Sequence, residues 1–201
     1  MSDFFELAHR QRAHRFLEPD AIPDVDIEQI LDAAIRAPSA QNTQPWQFVV
    51  VQDAQVRRTI ADATRDAWVG FAREYSRPDV DTYQWTDTDT WAMEAFADAP
   101  VIIVVCGDTQ AMDAGLLGSS IFPAAQNILL GALALGYGSL LSTLPTFAPN
   151  VGEVLGLPAH LVPMAVIPIG RPARRLGPPR RVPFSDKTHR DRFGQPWSSP
   201  S

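Results

Sequence analysis

Ala37-Pro38-Ser39-Ala40-Gln41-Asn42-Thr43-Gln44-Pro45-Trp46, followed after Gln47 by Phe48-Val49-Val50-Val51, is the stretch that decides how this chain reads. The first ten residues form a polar loop pinned by proline near both ends. Pro45 prevents a helix from continuing, and Ser39, Gln41, Asn42 and Gln44 can all hydrogen-bond. Trp46 ties the loop to a core, and the apolar run after it reads as a short strand buried on both faces. Upstream, Ile27, Ile30, Leu31, Ala34 and Ile35 recur at three and four. That spacing predicts a helix capped by Asp24 or Asp26 and ending before Pro38. A polar loop held rigidly between a helix and a strand is a place for binding.

Outward from this block, regular elements follow one another without a linker or an internal repeat. Asp3 to about Arg15 has helical spacing, with Phe4, Leu7 and Ala8 on one side. Ala54 to about Glu74 reads as a helix, and Ser76 to Thr90 as a loop or broken helical insertion. Val101 to Val105 is the second strand. Ile121 to Leu135 is the strongest apolar helix, nearly hydrophobic all round and therefore central, and Gly136 closes it. Ser139 to Leu144 reads as a third strand or extended segment, Val151 to Leu155 as a short helix. Met164 to Ile169 is the last strand, where Pro168 suits an edge or a strand end. The tail from Gly170 is rich in proline and arginine and carries Phe184, Phe193 and Trp197, which suit wrapping over another surface. The sum is one domain, mixed α/β, with few strands, a long central helix and two long ends that pack on a neighbouring subunit.

The bulk properties narrow the function. The 201 residues carry a net charge of −6, which argues against nucleic acid as a partner. No apolar run is long enough to span a bilayer, and the N-terminal residues lack the pattern of a signal peptide. Cys106 is the only cysteine, follows an apolar strand and reads as a buried, inert thiol in a reducing cytoplasm. The chain has no glycine-rich dinucleotide fingerprint, Walker loop or nucleophile elbow, and its four histidines show no metal-ligand spacing. No catalytic residue is assigned, no metal is expected, and a cofactor must carry any reaction.

Arginine points to which cofactor. Arg10, Arg12 and Arg15 cluster near the first helix, and Arg171, Arg174, Arg175, Arg180 and Arg181 cluster in the tail. Two such groups in an acidic protein suggest convergence on an anion, because a guanidinium grips phosphate by paired hydrogen bonds. A flavin joins a phosphate to a flat ring with a polar edge. Ser39, Asn42 and Gln44 suit that edge, and the small and polar residues from Ser139 to Thr143 can approach the ring from the other side.

Four blocks in order then resemble the FMN-dependent nitroreductase superfamily over nearly the whole chain. They are Gln11-Arg12-Ala13-His14-Arg15; Ile30 to Ser39 with Asn42 to Trp46; Ala125 to Ala132 through Leu135-Gly136-Tyr137-Gly138-Ser139; and Ile169-Gly170-Arg171-Pro172 with Arg180-Arg181-Val182-Pro183. The resemblance implies an α+β three-layer sandwich, a small mostly antiparallel sheet flanked by helices, with a dimer helix at its centre and a swapped C-terminal tail. It implies a homodimer with shared FMN sites. Arg12 and Arg15 would hold the phosphate with Arg180 or Arg181, with Arg10, Gln11 and Ala13 in the same segment. Pro38, Ser39, Ala40, Asn42 and Gln44 would reach the flavin from the partner, and Leu141, Ser142 and Thr143 from the first subunit. Gln11 and Ala13 stand where the family usually has arginine and serine. Residues 65–98, with Trp68, Tyr75, Tyr83, Trp85 and Trp91, would form a lid or dimer packing, and 171–201 a C-terminal arm. The implied activity is NADH- or NADPH-dependent reduction of a small-molecule acceptor such as a nitroaromatic or quinone. Flavin storage without turnover, or dehalogenation, ring dehydrogenation or flavin cleavage on the same scaffold, are the alternatives.

Overall fold

The computed structural model describes residues 3–75, 82–148 and 150–197. In chain order its helices and strands are α1 (Phe4–Arg10), β1 (Leu17–Glu18), α2 (Asp24–Ala34), β2 (Trp46–Val51), α3 (Ala54–Ala67), α4 (Arg73–Tyr75), α5 (Thr82–Thr90), β3 (Val101–Asp108), α6 (Gly118–Ala134), β4 (Gly138–Ser139), α7 (Val151–Val154) and β5 (Leu161–Pro172). The sheet runs β1-β5-β3-β2, with β4 also on β5, and every named strand pair is antiparallel. This is the small antiparallel sheet with helices that the α+β expectation required.

β3 is central because its first six residues are apolar enough to be shut off from water on both faces. Val101 through Cys106 are all buried, split between two cores on the two sheet faces. One core holds α2 and α6, with Ile30, Ala34, Ile121, Ile128 and Trp46; the other holds Ile60, Trp68, Trp91 and Phe96. Trp46 is thus a core anchor for the polar loop. Burial also raises the Cys106 thiol to a pKa of about 11, as an apolar surrounding does.

Several local expectations are corrected. α1 stops at Arg10 and buries no residue, and Phe4 and Phe5 stay exposed. Gln11 to Arg15 leave the helix because Ala13 pairs with Ser139 in a parallel bridge. The N-cap of α2 is Pro23 without a side-chain bond, and Asp24 and Asp26 lie in the first turn, where they still face the positive end of the helix. β2 is an edge strand whose Phe48, Val49 and Val50 are only half-buried, since β3 is its sole strand neighbour. β5 is internal, not an edge. Pro168 is tolerated there because Val166 N–H points at Ser142, and alternation turns position 168 the same way, toward the break between Ser139 and Ser142 rather than toward β3.

Residues 65–75 and 82–98 are mainly helical, with π-type turns at Trp68–Ala72 and Trp91–Ala95. Trp68 and Trp91 belong to the core, while Tyr75 is exposed. The remainder of the expected lid, residues 76–81 and the side chain of Tyr83, and residues 198–201 of the expected arm lie outside the described residues.

Candidate functional site: an arginine pocket and a strained polar loop

The segment Gln11–Arg15 is held by the turn after α6. His14 N–H donates to the Ser139 carbonyl at 3.0 Å, and Ala173 N–H to Phe16 at 3.0 Å. Gly138 permits this approach: a Cβ there would lie 2.8 Å from His14 Cβ. The chain is thereby forced into a tight fold that turns Arg12 and Arg15 inward. Arg12, Ala13, His14, Arg15, Phe16, Asp87, Arg174 and Leu176 line one small pocket. A wider open cleft of about 430 Å³ adjoins it and shares His14, Arg174 and Leu176, adding Arg10, Tyr137 and Arg175.

The pocket's electrostatics are those of an anion site. Arg12 Nη1 donates to the Gly177 carbonyl at 2.7 Å. The Nε atoms of both Arg12 and Arg15 are buried without a hydrogen-bond partner among the described residues. Burial lowers the Arg15 pKa, the Asp87 carboxylate opposes that, and the Arg12 charge adds to it. His14 is lowered by burial first and by the Arg12 charge second. Two like charges with unmet donors facing one space cost stability unless an anion answers them.

The polar loop is strained in the way functional loops are. Gln41, Asn42 and Gln44 have φ of 53°, 55° and 48°, a left-handed conformation costing about 1–2 kcal/mol each for non-glycine residues. Hydrogen bonds hold it there. Ser39 Oγ accepts from Gln44 N–H at 3.1 Å, Asn42 Oδ1 from Gln44 Nε2 at 3.3 Å, and the Ala40 carbonyl from Thr43 Oγ1 at 2.9 Å. Ala40 N–H reaches Ser120 Oγ at 3.4 Å, and Asp108 N–H donates to the Pro45 carbonyl at 2.7 Å. Pro38, Ala40, Asn42 and Gln44 are exposed.

The two halves do not meet within the chain. The loop stands on Ser120, at the start of α6, whereas Leu133 near its end lines the arginine side with Gln11 and Arg12. At a rise of about 1.5 Å per residue, Ser120 and Leu133 are about 20 Å apart along the helix. Ser142 is buried on Val166 of β5, and Leu141 and Thr143 flank it. Arg180 and Arg181 are exposed farther along the tail, and Arg181 donates to the Arg180 carbonyl. Arg174 is the tail arginine that lines the pocket, as part of a cluster visible in sequence but not singled out by spacing. Asp87 was missed altogether, because nothing local marks it. Asn127 Nδ2 donates to the Ala33 carbonyl at 3.0 Å, tying α6 to the end of α2. No helix among the described residues is long and apolar enough to cross a membrane.

Known proteins share this fold. The NADH dehydrogenase of Thermus thermophilus is 32% identical over 196 residues, covering 88% of this chain and 90% of that protein. Iodotyrosine deiodinase 1 of Mus musculus is 27% identical over 180 residues, covering 86% of this chain but only 63% of the deiodinase. A crystal structure of oxidized iodotyrosine deiodinase bound to FMN and 3-iodo-L-tyrosine superposes with a TM-score of 0.74 at 25% identity, covering 89% of this chain and 95% of that one. The model of the Nitroreductase family matches residues 8–171, and the chain belongs to that family.

Proposed function

We propose that the protein is a homodimeric FMN-dependent oxidoreductase that uses NADH or NADPH to reduce a small electron-poor acceptor. The observation that carries this is the pair of buried, unpartnered Nε atoms of Arg12 and Arg15 in one pocket. They fit the flavin's phosphate. The chemistry such a group supplies is two-electron redox exchange between the nicotinamide and an acceptor such as a nitroaromatic or quinone.

The chain's own residues do the binding and orienting. Arg12 and Arg15 hold the anionic end, with Arg10, Gln11 and Ala13 beside them and the exposed Arg180 and Arg181 within the same arm. Leu141, Ser142 and Thr143 support the ring from the same protomer, and Pro38, Ser39, Ala40, Asn42 and Gln44 approach it from the partner. The separation of loop and arginines along α6 supports that division, because two-fold pairing of antiparallel α6 helices would carry the loop at one end to the partner's arginine pocket at the other. Phe122 and Gln126 leave an open face on α6 for such pairing. Val182, Phe184 and Phe193, exposed in the tail, suit an arm laid on the partner. A cytoplasmic location is part of the same proposal.

The test is an absorption spectrum of the pure protein mixed with FMN, then anaerobic titration with NADPH and NADH. A bound yellow chromophore that bleaches on titration is expected. A protein that stays colourless with FMN overturns the reading, and a yellow band that neither nicotinamide bleaches leaves a flavin-binding protein without turnover. The likeness to iodotyrosine deiodinase favours a second reading, reductive dehalogenation, for which halide release from 3-iodotyrosine is the assay.

A further inference from the structure

The third guanidinium of the anion pocket is not one of the arginines that the family resemblance singles out. We propose that Arg174 fills that place and that Asp87, on α5, is its positioning residue, so that seating of α5 and binding of a phosphate monoester are linked. This rests on the flavin reading above.

Among the described residues, an aromatic ring and a carboxylate orient Arg174. Its guanidinium lies over the Phe16 ring, with Cζ 3.8 Å from the ring centroid, and its Nη1 donates to Asp87 Oδ1 at 3.2 Å. The ring face sets the plane of the group, and the carboxylate sets its direction within that plane. The backbone is fixed too, since Ala173 N–H bonds Phe16 and β5 ends at Pro172. Phe16 adjoins Arg15, so the residue that stacks under Arg174 is covalently next to a pocket arginine.

Asp87 is itself placed from behind. Two residues along α5, Asp89 accepts from the indole N–H of buried Trp68 at 2.8 Å and pairs with Arg73 at 3.1 Å. α5 is therefore anchored to the core on one side and to the tail on the other. Asp87 also faces Arg15, whose positive charge it favours. One carboxylate against Arg12, Arg15 and Arg174 leaves the pocket with excess positive charge, so Asp87 orders the arginines without neutralising them. Arg180 and Arg181, by contrast, do not line the pocket.

The experiment titrates cofactor-stripped full-length protein with FMN and with riboflavin, following quenching of flavin fluorescence. Riboflavin lacks the phosphate and reports whether the ring site is intact. Arg174→Gln is expected to weaken FMN about tenfold or more, the scale of a charge-assisted bond, while riboflavin affinity stays unchanged. Asp87→Asn weakens FMN a few-fold with the same riboflavin control. FMN also slows amide hydrogen exchange in α5 of the native protein, and less so in Arg174→Gln. The proposal is overturned if Arg174→Gln leaves FMN affinity intact, if Asp87→Asn tightens FMN, or if either variant loses riboflavin equally. It is also overturned if only the double variant Arg180→Gln/Arg181→Gln loses FMN, an outcome in which the flavin reading survives. Native protein that binds neither flavin removes both.

Discussion

The backbone N–H of His14 bonds the Ser139 carbonyl at 3.0 Å, joining the arginine segment to the turn that follows α6. That contact makes the start of the chain part of the site. Without it, Arg12 and Arg15 would sit on a loose extension of α1.

Gly138→Ala tests the joint. The added Cβ would meet His14 Cβ at 2.8 Å, His14 Cγ at 2.9 Å and Pro172 Cγ at 3.1 Å. Overpacking of this kind costs about 1–3 kcal/mol. Urea denaturation is expected to show that loss, and FMN affinity to fall with it because the arginines move.

Arg15→Gln should separate stability from binding. It removes a charge that burial disfavours most, that the Asp87 carboxylate favours and that Arg12 opposes. The cofactor-free variant is expected to melt higher than the native cofactor-free protein, while FMN affinity falls about tenfold or more. Differential scanning calorimetry and flavin titration read the two effects.

Ser39→Ala removes the acceptor for Gln44 N–H, which sits at 3.1 Å in a residue with φ of 48°. The expected loss is about 1 kcal/mol of stability, with faster amide exchange confined to the loop.

His14 gives a pH dependence of known sign. Burial and the Arg12 charge lower its pKa in the folded protein from the ordinary 6.5. The unfolded chain therefore binds the proton more readily, so the contribution is present above 6.5 and lost as pH falls through the depressed folded value. The urea midpoint should drop as the pH is taken below 6.5, and His14→Asn should flatten that drop.

Cys106 should resist thiol reagents in the native state. Its thiol is fully buried and raised to about 11. Labelling at mildly alkaline pH is expected only after unfolding.

The sequence alone determined what local chemistry controls. Pro38 and Pro45 bound the loop, the three-four spacing of Ile27 to Ile35 makes α2, and the unbroken apolar run Val101 to Val105 makes the central strand. Gly136, at φ 86°, closes α6 as a glycine should. These outcomes follow from steric limits and hydrophobic period, which act over a few residues. Tertiary structure decided the rest. It placed the loop and the arginines at opposite ends of α6, sent Trp68 and Trp91 into the core, and seated Arg174 rather than Arg180 or Arg181 beside Asp87. Each depends on contacts between residues far apart in the chain. A guanidinium's charge is written in the sequence, but the aromatic face and carboxylate that aim it are supplied only by the folded chain.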